Sequence, residues 1–321
     1  MRIGLDISGG DFAPQQTVEG AIFALRELKS DNRIVLIGNQ PVIEKELAAR
    51  GVSPSAFDIV HAPENIEMHD NPVKAFETKR ESSIVKGFHM LATGLIDGFA
   101  SLGNTGAMLV GAMHVIKPVP GIIRPCISSV YPNIQGSYNL FLDVGLNPDS
   151  KPEMLVQYGI IGSVFSELVF NVKNPKTGLL NIGTEAGKGN LQTKTAYDIL
   201  AACTQIRFAG NIEPNQLFDA DAADVIVTDG FVGNIVLKQA EAFYALLKSR
   251  NISDPYFEKY NFELYGGTPV LGINRCVVIG HGRSNSIAVK NMVLQTARII
   301  QVNLCEEIIK IMQHGKDSSY H

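Results

Sequence analysis

The sequence predicts an α/β protein: a mostly parallel sheet covered by helices on both faces. Three observations carry this. Short apolar runs alternate with helical patterns along nearly the whole chain, the signature of strand–helix–strand units. Five of the runs end in a glycine-rich polar loop with a helical pattern after it. No internal repeat or low-complexity linker interrupts the series.

The elements follow in order. An apolar strand over 2–7 leads to a helical pattern over 15–28. Strands over 34–38 and 58–61 precede a helical pattern over 73–92, and a strand over 98–101 comes next. Strands over 128–131 and 140–144 lead to the helix 152–170. Strand 178–182 feeds helix 194–205, strand 224–228 feeds helix 232–248, and strand 276–280 feeds the last helix, 287–312. Residues 250–267 are polar, aromatic and weakly periodic, so a surface excursion is expected there, and 313–321 reads as a frayed tail. The expected organisation is one domain over 1–321.

Composition narrows the function classes. The chain has 321 residues, 45% of them hydrophobic, enough for a large core. A net charge of -4 argues against a nucleic-acid binder. Cys126, Cys203, Cys276 and Cys305 lie far apart with no CxxC pair, which fits buried free thiols in a reducing cytoplasm. Asp6 cuts the first apolar run short, so it does not read as a signal peptide. No uncharged apolar stretch is long enough to span a bilayer.

The loops carry the chemistry. They are Asp6–Asp11, Ser101–Gly106, Asn181–Asn190, Thr228–Asn234 and Gly280–Asn285. Glycine lets backbone N–H groups come close to a ligand. A helix N-terminus after such a loop favours an anion. In parallel sheets ligands bind beyond the carboxyl ends of the strands. A site for a phosphate-bearing substrate is therefore expected, with Gly9, Gly10, Asn104, Thr105, Gly106, Gly189, Gly282 and Ser284 as phosphate-binding candidates.

Lys188, between two glycines, is the candidate cation. Its loop misses the P-loop pattern by one residue of spacing, and Gly189 stands where Ser or Thr is required. No G-x-G-x-x-G is present, so a nucleotide is not indicated. Asn104 or Thr105 suits an N-cap as well as an anion site. Asp6 and Asp229 end strands, where a carboxylate serves as a base or as a loop anchor. His281 is the one histidine in a glycine loop and suits a donor or proton shuttle. No HExxH, Cys/His cluster or G-x-S-x-G elbow occurs, so neither a metal nor an acyl-serine is indicated. Lys74, Lys79, Arg80 and Lys86 punctuate one helical pattern as a solvated face paired with Glu77 and Glu81, a partner-binding patch being the lesser reading.

These blocks together resemble the bacterial fatty acyl-acyl carrier protein:phosphate acyltransferases, the PlsX family. The match runs from Met1–Pro14 through Gly103–Ala107, Leu142–Gly145 with Lys151-Pro-Glu153, Leu180–Gly183 with Gly187–Asn190, Asp229–Lys238, Tyr265–Pro269, His281-Gly282 and Lys290-Asn291. The resemblance implies a three-layer α/β/α fold similar to phosphotransacetylases and isopropylmalate dehydrogenases. It implies attack of inorganic phosphate on an acyl carrier protein thioester, releasing acyl phosphate for phospholipid synthesis. It implies a homodimer, no cofactor and no metal, with a membrane glycerol-3-phosphate acyltransferase as a downstream partner. Asp6, Lys188, Asn234 and His281 become the catalytic candidates, with Asn104 a further oxyanion donor, and Lys79, Arg80 and Arg283 the carrier-protein contacts. The rival readings are a phosphotransacetylase-like enzyme using acyl-coenzyme A and a non-catalytic carrier-binding module. A dehydrogenase is the least favoured.

The chain departs from the family pattern at several places. Ile7-Ser8 replaces the usual Ala-Met, Leu146 a usual alanine, Ser150 a common cysteine and Arg283 a serine. The stretch 249–264 is short, where relatives carry a longer basic, apolar excursion tied to dimer and membrane contacts. The apolar stripe of 232–248 is expected to face the core. Cytoplasmic placement with at most weak, salt-sensitive attachment to the inner membrane face is the expectation.

Overall fold

The structure, a computed structural model, describes residues 1–317. The chain runs β1 (Arg2–Asp6), α1 (Gln15–Glu27), β2 (Arg33–Gly38), α2 (Gln40–Ala49), β3 (Asp58–His61), α3 (Pro72–Thr78), α4 (Ser83–Ala92), β4 (Gly98–Ser101) and α5 (Thr105–Gly111). It continues with β5 (Cys126–Pro132), β6 (Tyr138–Leu142), α6 (Pro152–Phe170), β7 (Lys176–Leu180), α7 (Leu191–Ala202), β8 (Arg207–Ile212), β9 (Val225–Val227) and α8 (Gly230–Ser249). The last elements are β10 (Thr268–Leu271), β11 (Cys276–Ile279), α9 (Ser286–Gln301) and α10 (Leu304–Asp317).

The chain folds as two compact units. One is Met1–Pro118 with Phe262–Cys305; the other is Val119–Asn261 with residues 306–317. In the first unit the strand order is β3-β2-β1-β4-β11-β10, parallel except for β10 against β11. In the second it is β5-β6-β9-β7-β8, parallel except for β5 against β6. A mostly parallel α/β architecture was expected, and it is what the structure has.

Parallel strands buried on both faces read as apolar runs. Ile3, Leu5, Ile34, Leu36 and Phe99 accordingly lie fully buried in the first unit. Pairing of Ile3 and Cys276 with Gly98, and of Ile279 with Ser101, brings the carboxyl ends of β1, β4 and β11 side by side. In the second unit Tyr131, Phe141, Leu180, Ile212 and Ile226 form one apolar cluster.

Several boundaries differ from the periodicity reading, and caps explain them. The pattern 73–92 breaks because α3 stops at Thr78 and the Ser82 side chain caps α4 through Val85 N–H. Lys79 and Arg80 therefore sit in a connector and not on one long helix face. The pattern 287–312 breaks at Asn303, whose φ of 52° ends the helical path. Helix α2 was missed, although Asn39 caps it and Pro41 opens it. Helix α10 continues to Asp317, across 313–317 where fraying was expected, and 318–321 lie outside the described residues.

Helix α6 meets the length and apolarity of a membrane span, with mean hydropathy 1.2, but 61% of it is buried inside the protein. The stripe on α8 divides: Val236, Leu237 and Ala240 pack on the second unit's apolar cluster. Phe231, Ile235, Phe243 and Leu246 stay exposed, against the expectation that the stripe faces the core. A helix shows a core only one side, and α8 is apolar on two. The excursion after α8 is pinned to the β5–β6 hairpin. Tyr256 Oη donates to Pro132 O (3.1 Å) and Lys259 Nζ to Gly136 O (3.0 Å).

Candidate functional site

Three glycine loops meet at the adjacent ends of β1, β4 and β11. Asp6 ends β1 fully buried. Its Oδ1 accepts from Ser8 N–H (2.9 Å), and its Oδ2 accepts from Ser101 Oγ (2.6 Å). Ser101 Oγ in turn accepts from Gly103 N–H (2.9 Å). One carboxylate thereby shapes its own loop and ties it to the loop after β4. Burial pushes the Asp6 carboxyl above its ordinary value, while the Ser101 hydroxyl and the backbone donors pull it down. Both oxygens are employed within the protein, which makes Asp6 an anchor; its role as a base is not supported by this geometry.

The glycines permit a very close approach. A Cβ on Gly9 would stand 2.5 Å from Gly103 N and 2.6 Å from Asp6 Oδ2. Gly10 has φ +97°, and a Cβ there would meet Leu102 and Gly282 O. Asp11 N–H donates to Gly282 O (2.8 Å), joining the first loop to the loop after β11, and Gly280 N–H donates to Ser101 O (2.9 Å). Gly9, Gly10, Gly103 and Gly282 are thus brought together.

Asn104 is nearly buried and its amide is spent. Its Oδ1 caps α5 through Ala107 N–H (3.0 Å). Its Nδ2 donates to the carbonyls of Glu67 (3.0 Å), Met68 (3.3 Å) and Asp70 (3.1 Å). The side chain is therefore a clamp, not the oxyanion donor expected. Thr105 and Gly106 follow at the start of α5, where backbone N–H groups lack acceptors within the helix. A Cβ on Gly106 would meet Pro72 Cγ at 2.4 Å, so this glycine also serves contact between α3 and α5.

His281 is exposed and stacks near Phe262, with ring centroids 5.1 Å apart. Its Nδ1 accepts from Arg283 N–H (3.2 Å), which puts the ring proton of the neutral form on Nε2. Ser284 is buried, and its hydroxyl has no hydrogen-bond partner among the described residues. Asn285 caps α9 through Ala288 N–H (3.0 Å). Arg283 is exposed. Lys79 is not a free basic group: Nζ pairs with Asp70 (2.6 Å) and donates to Asn65 O (2.9 Å). Arg80 is exposed and donates to Glu77 O (3.3 Å).

In the second unit a comparable device stands at the end of β6. Asp143 is fully buried, and its carboxylate accepts from Ile127, Leu146 and Asn147 N–H and from Asn147 Nδ2. Burial raises this carboxyl too, against those hydrogen bonds. A Cβ on Gly233 would fall 1.8 Å from Asp143 O, so the first turn of α8 can pack here only with glycine. The sequence reading passed over Asp143, although an aspartate closing an apolar run was the signal at Asp6. Asp229 caps α8 through Phe231 and Val232 N–H (3.0 and 2.9 Å), which makes it a cap. Asn234 is exposed and lies over Gly145, where a Cβ would meet its Cγ at 3.5 Å.

Lys188 also belongs to the second unit. Asn181 Nδ2 donates to Lys188 O (3.1 Å) and Asn211 Nδ2 to Glu185 O (2.8 Å), so the loop is held from both sides. The Lys188 side chain is half exposed, with Glu185 at 3.6 Å. An exposed pair at that distance holds it weakly. Gly189 has φ +96°, and a Cβ there would strike Thr193 Oγ1. Asn190 then caps α7. Among the described residues no group of three or more His, Cys, Asp or Glu is placed to hold a metal ion.

Comparison with known proteins narrows the identity. The family described as fatty acid synthesis protein matches residues 1–307. The phosphate acyltransferase of Dictyoglomus turgidum is 39% identical over 97% of each chain. That of Fusobacterium nucleatum is 37% identical over 98% of this chain and 99% of its own. Among solved structures, a EutD phosphotransacetylase from Staphylococcus aureus superposes with TM-score 0.63 at 16% identity, covering 94% of both chains. A 4-hydroxythreonine-4-phosphate dehydrogenase from Klebsiella pneumoniae gives TM-score 0.55 at 10% identity. These two likenesses concern the fold alone.

Proposed function

The chain belongs to the fatty acid synthesis protein family, among the phosphate acyltransferases, and we propose on that basis that it transfers an acyl group from acyl carrier protein to inorganic phosphate. One observation carries the phosphate side: the Gly9–Gly10 turn lies so close to the Leu102–Gly103 turn that a side chain at Gly9 is excluded, and Asp11 N–H ties it to Gly282 O. Backbone N–H groups in such turns suit a small multiply charged oxyanion.

Phosphate is largely ionised near neutral pH, so the nucleophile needs placement more than a strong base. Its oxygen attacks the thioester carbonyl, an oxyanion forms, the C–S bond breaks, and the carrier thiolate leaves to take a proton. We assign His281 Nε2–H as a donor to that oxyanion, since Nδ1 is already accepting. Lys188, Gly189 and Asn234 belong to the second unit and are assigned on their chemistry alone, as an anion-binding cation, its loop glycine and an amide donor. Thr105, Gly106 and Ser284 complete the phosphate set proposed for the first unit. Arg283 and Arg80, both exposed, suit contact with an acidic carrier better than Lys79, which is already paired.

A homodimer is part of this reading. The exposed Phe231, Ile235, Phe243 and Leu246 on α8 are the apolar surface that supports it. The product, a reactive mixed anhydride, suits direct use by a membrane glycerol-3-phosphate acyltransferase, with this protein in the cytoplasm and weakly peripheral at the inner membrane face.

The test is incubation with palmitoyl-acyl carrier protein and phosphate, trapping acyl phosphate with hydroxylamine. Palmitoyl-coenzyme A is the second arm. Hydroxamate from the carrier thioester is expected. Equal turnover with the coenzyme A thioester would shift the reading to a phosphotransacetylase-like enzyme.

A further inference from the structure

The first unit holds a cavity of about 240 Å³ beside the Asp6–Asp11 loop, at the carboxyl ends of β1, β2 and β3. Its lining is chiefly carbon, from Ile7, Ala13, Pro14, Val42, Ile43 and Ala62. Ile7 and Ile43 are buried, whereas Val42 is exposed at the rim. Ser8 also lines it. Ile7 and Ser8 immediately precede Gly9 and Gly10.

Three polar neighbours of the cavity have side-chain atoms engaged elsewhere. Asn39 Oδ1 accepts from Val42 N–H (3.4 Å), Glu64 Oε2 accepts from Glu81 N–H (2.8 Å), and Asn65 Nδ2 donates to Glu67 Oε1 (3.1 Å). Among the described residues no lysine or arginine lines the cavity, and the Glu64 carboxylate opposes an anion there. A phosphate or nucleotide is therefore a poor occupant, and an uncharged hydrocarbon segment is a good one. At ~30 Å³ for each water-sized group, the volume takes roughly eight methylenes.

We propose that this cavity receives part of the acyl chain of the donor, beside the Gly9–Gly10 turn, and that Ser8 sets how much chain enters. The assignment rests on the acyl-transfer reading above. It adds a specificity role for the Ile7-Ser8 pair and for α2, neither of which that reading uses.

The probes are unreactive S-alkyl-pantetheines from ethyl to hexadecyl, measured by isothermal titration calorimetry. In the wild-type protein affinity should rise about fourfold per methylene, the gain that burying one such group brings, and level off near eight to ten carbons. Ser8→Met and Val42→Phe fill the cavity from two sides. Each should cut decyl affinity by about tenfold or more and leave ethyl affinity unchanged. Affinity that does not depend on chain length overturns the proposal, as does an unchanged decyl-to-ethyl ratio in either folded variant. The wild-type series decides the matter even if both variants misfold. Turnover with octanoyl- and palmitoyl-carrier protein is recorded in parallel. No turnover with any donor would sink the acyl-transfer reading, while the calorimetry would still report on the cavity.

Discussion

Ser101 Oγ donates a 2.6 Å hydrogen bond to Asp6 Oδ2, across 95 residues of sequence, and accepts one from Gly103 N–H at 2.9 Å. This relay, wholly buried, makes the loop after β4 depend on the carboxylate that ends β1. Backbone donors near Gly9 and Gly103 hold their positions because of it. On the proposed function, Ser101 should therefore affect phosphate affinity through these loops.

Ser101→Ala should destabilise the fold by about 1–3 kcal/mol, because it leaves a buried carboxylate oxygen and Gly103 N–H without their partner. Urea denaturation measures this. The KM for phosphate should rise by more than the kcat falls. An unchanged phosphate KM in a destabilised but folded variant would show that the relay serves stability alone.

Gly9→Ala should abolish phosphate binding, since its Cβ would stand 2.5 Å from a backbone atom of Gly103. Phosphate at a hundredfold excess over its Kd should stabilise the wild-type protein by ~2.7 kcal/mol. The variant should show no such shift in thermal denaturation. NAD and ATP should raise the melting temperature less than phosphate does.

Lys188→Ala should lower kcat/KM by about a hundredfold, the equivalent of roughly 3 kcal/mol of barrier. Lys188 is half exposed and weakly paired with Glu185, so the fold should be untouched. Circular dichroism and steady-state kinetics together check this. Near-normal turnover would make Lys188 a bystander.

Lys79 beside Asp70 holds that carboxyl below its ordinary value, with Glu67 N–H assisting. A lowered carboxylate pKa means the stabilising contribution is complete above the unfolded value and is lost as pH falls through the folded one. The segment 65–70, which Asn104 clamps, should therefore loosen only at pH below the usual carboxylate range. Lys79→Met should remove the depression. Carboxyl chemical shifts of Asp70 during titration, with amide exchange of 67–70, give the result. A titration at the ordinary aspartate value in the wild-type protein would contradict it.

Opposing faces of α8 call for different partners. Phe243→Glu, on the exposed side, should leave the second unit's fold intact and yield monomers in sedimentation velocity. Val236→Glu, on the side packed against the apolar cluster, should instead destabilise the protein by several kcal/mol.

Local chemistry was legible in the sequence alone. Apolar runs ending in glycine loops announced a parallel α/β fold, because strand burial and tight turns are written in neighbouring residues. The loops after β1, β4 and β11 were picked out for the same reason. What an aspartate does at a strand end was not legible. Asp6, Asp143 and Asp229 look alike in sequence, yet one ties two loops, one anchors a loop beneath α8, and one caps that helix. Asn104 looked like an oxyanion donor until its amide met three carbonyls from 67–70. The division of the α8 stripe and the cavity beside Ile7-Ser8 were likewise settled only by the tertiary structure. Hydrogen-bond partners and cavity walls come from residues tens of positions apart. Periodicity reports a residue's own neighbours, and only the folded chain decides who stands opposite.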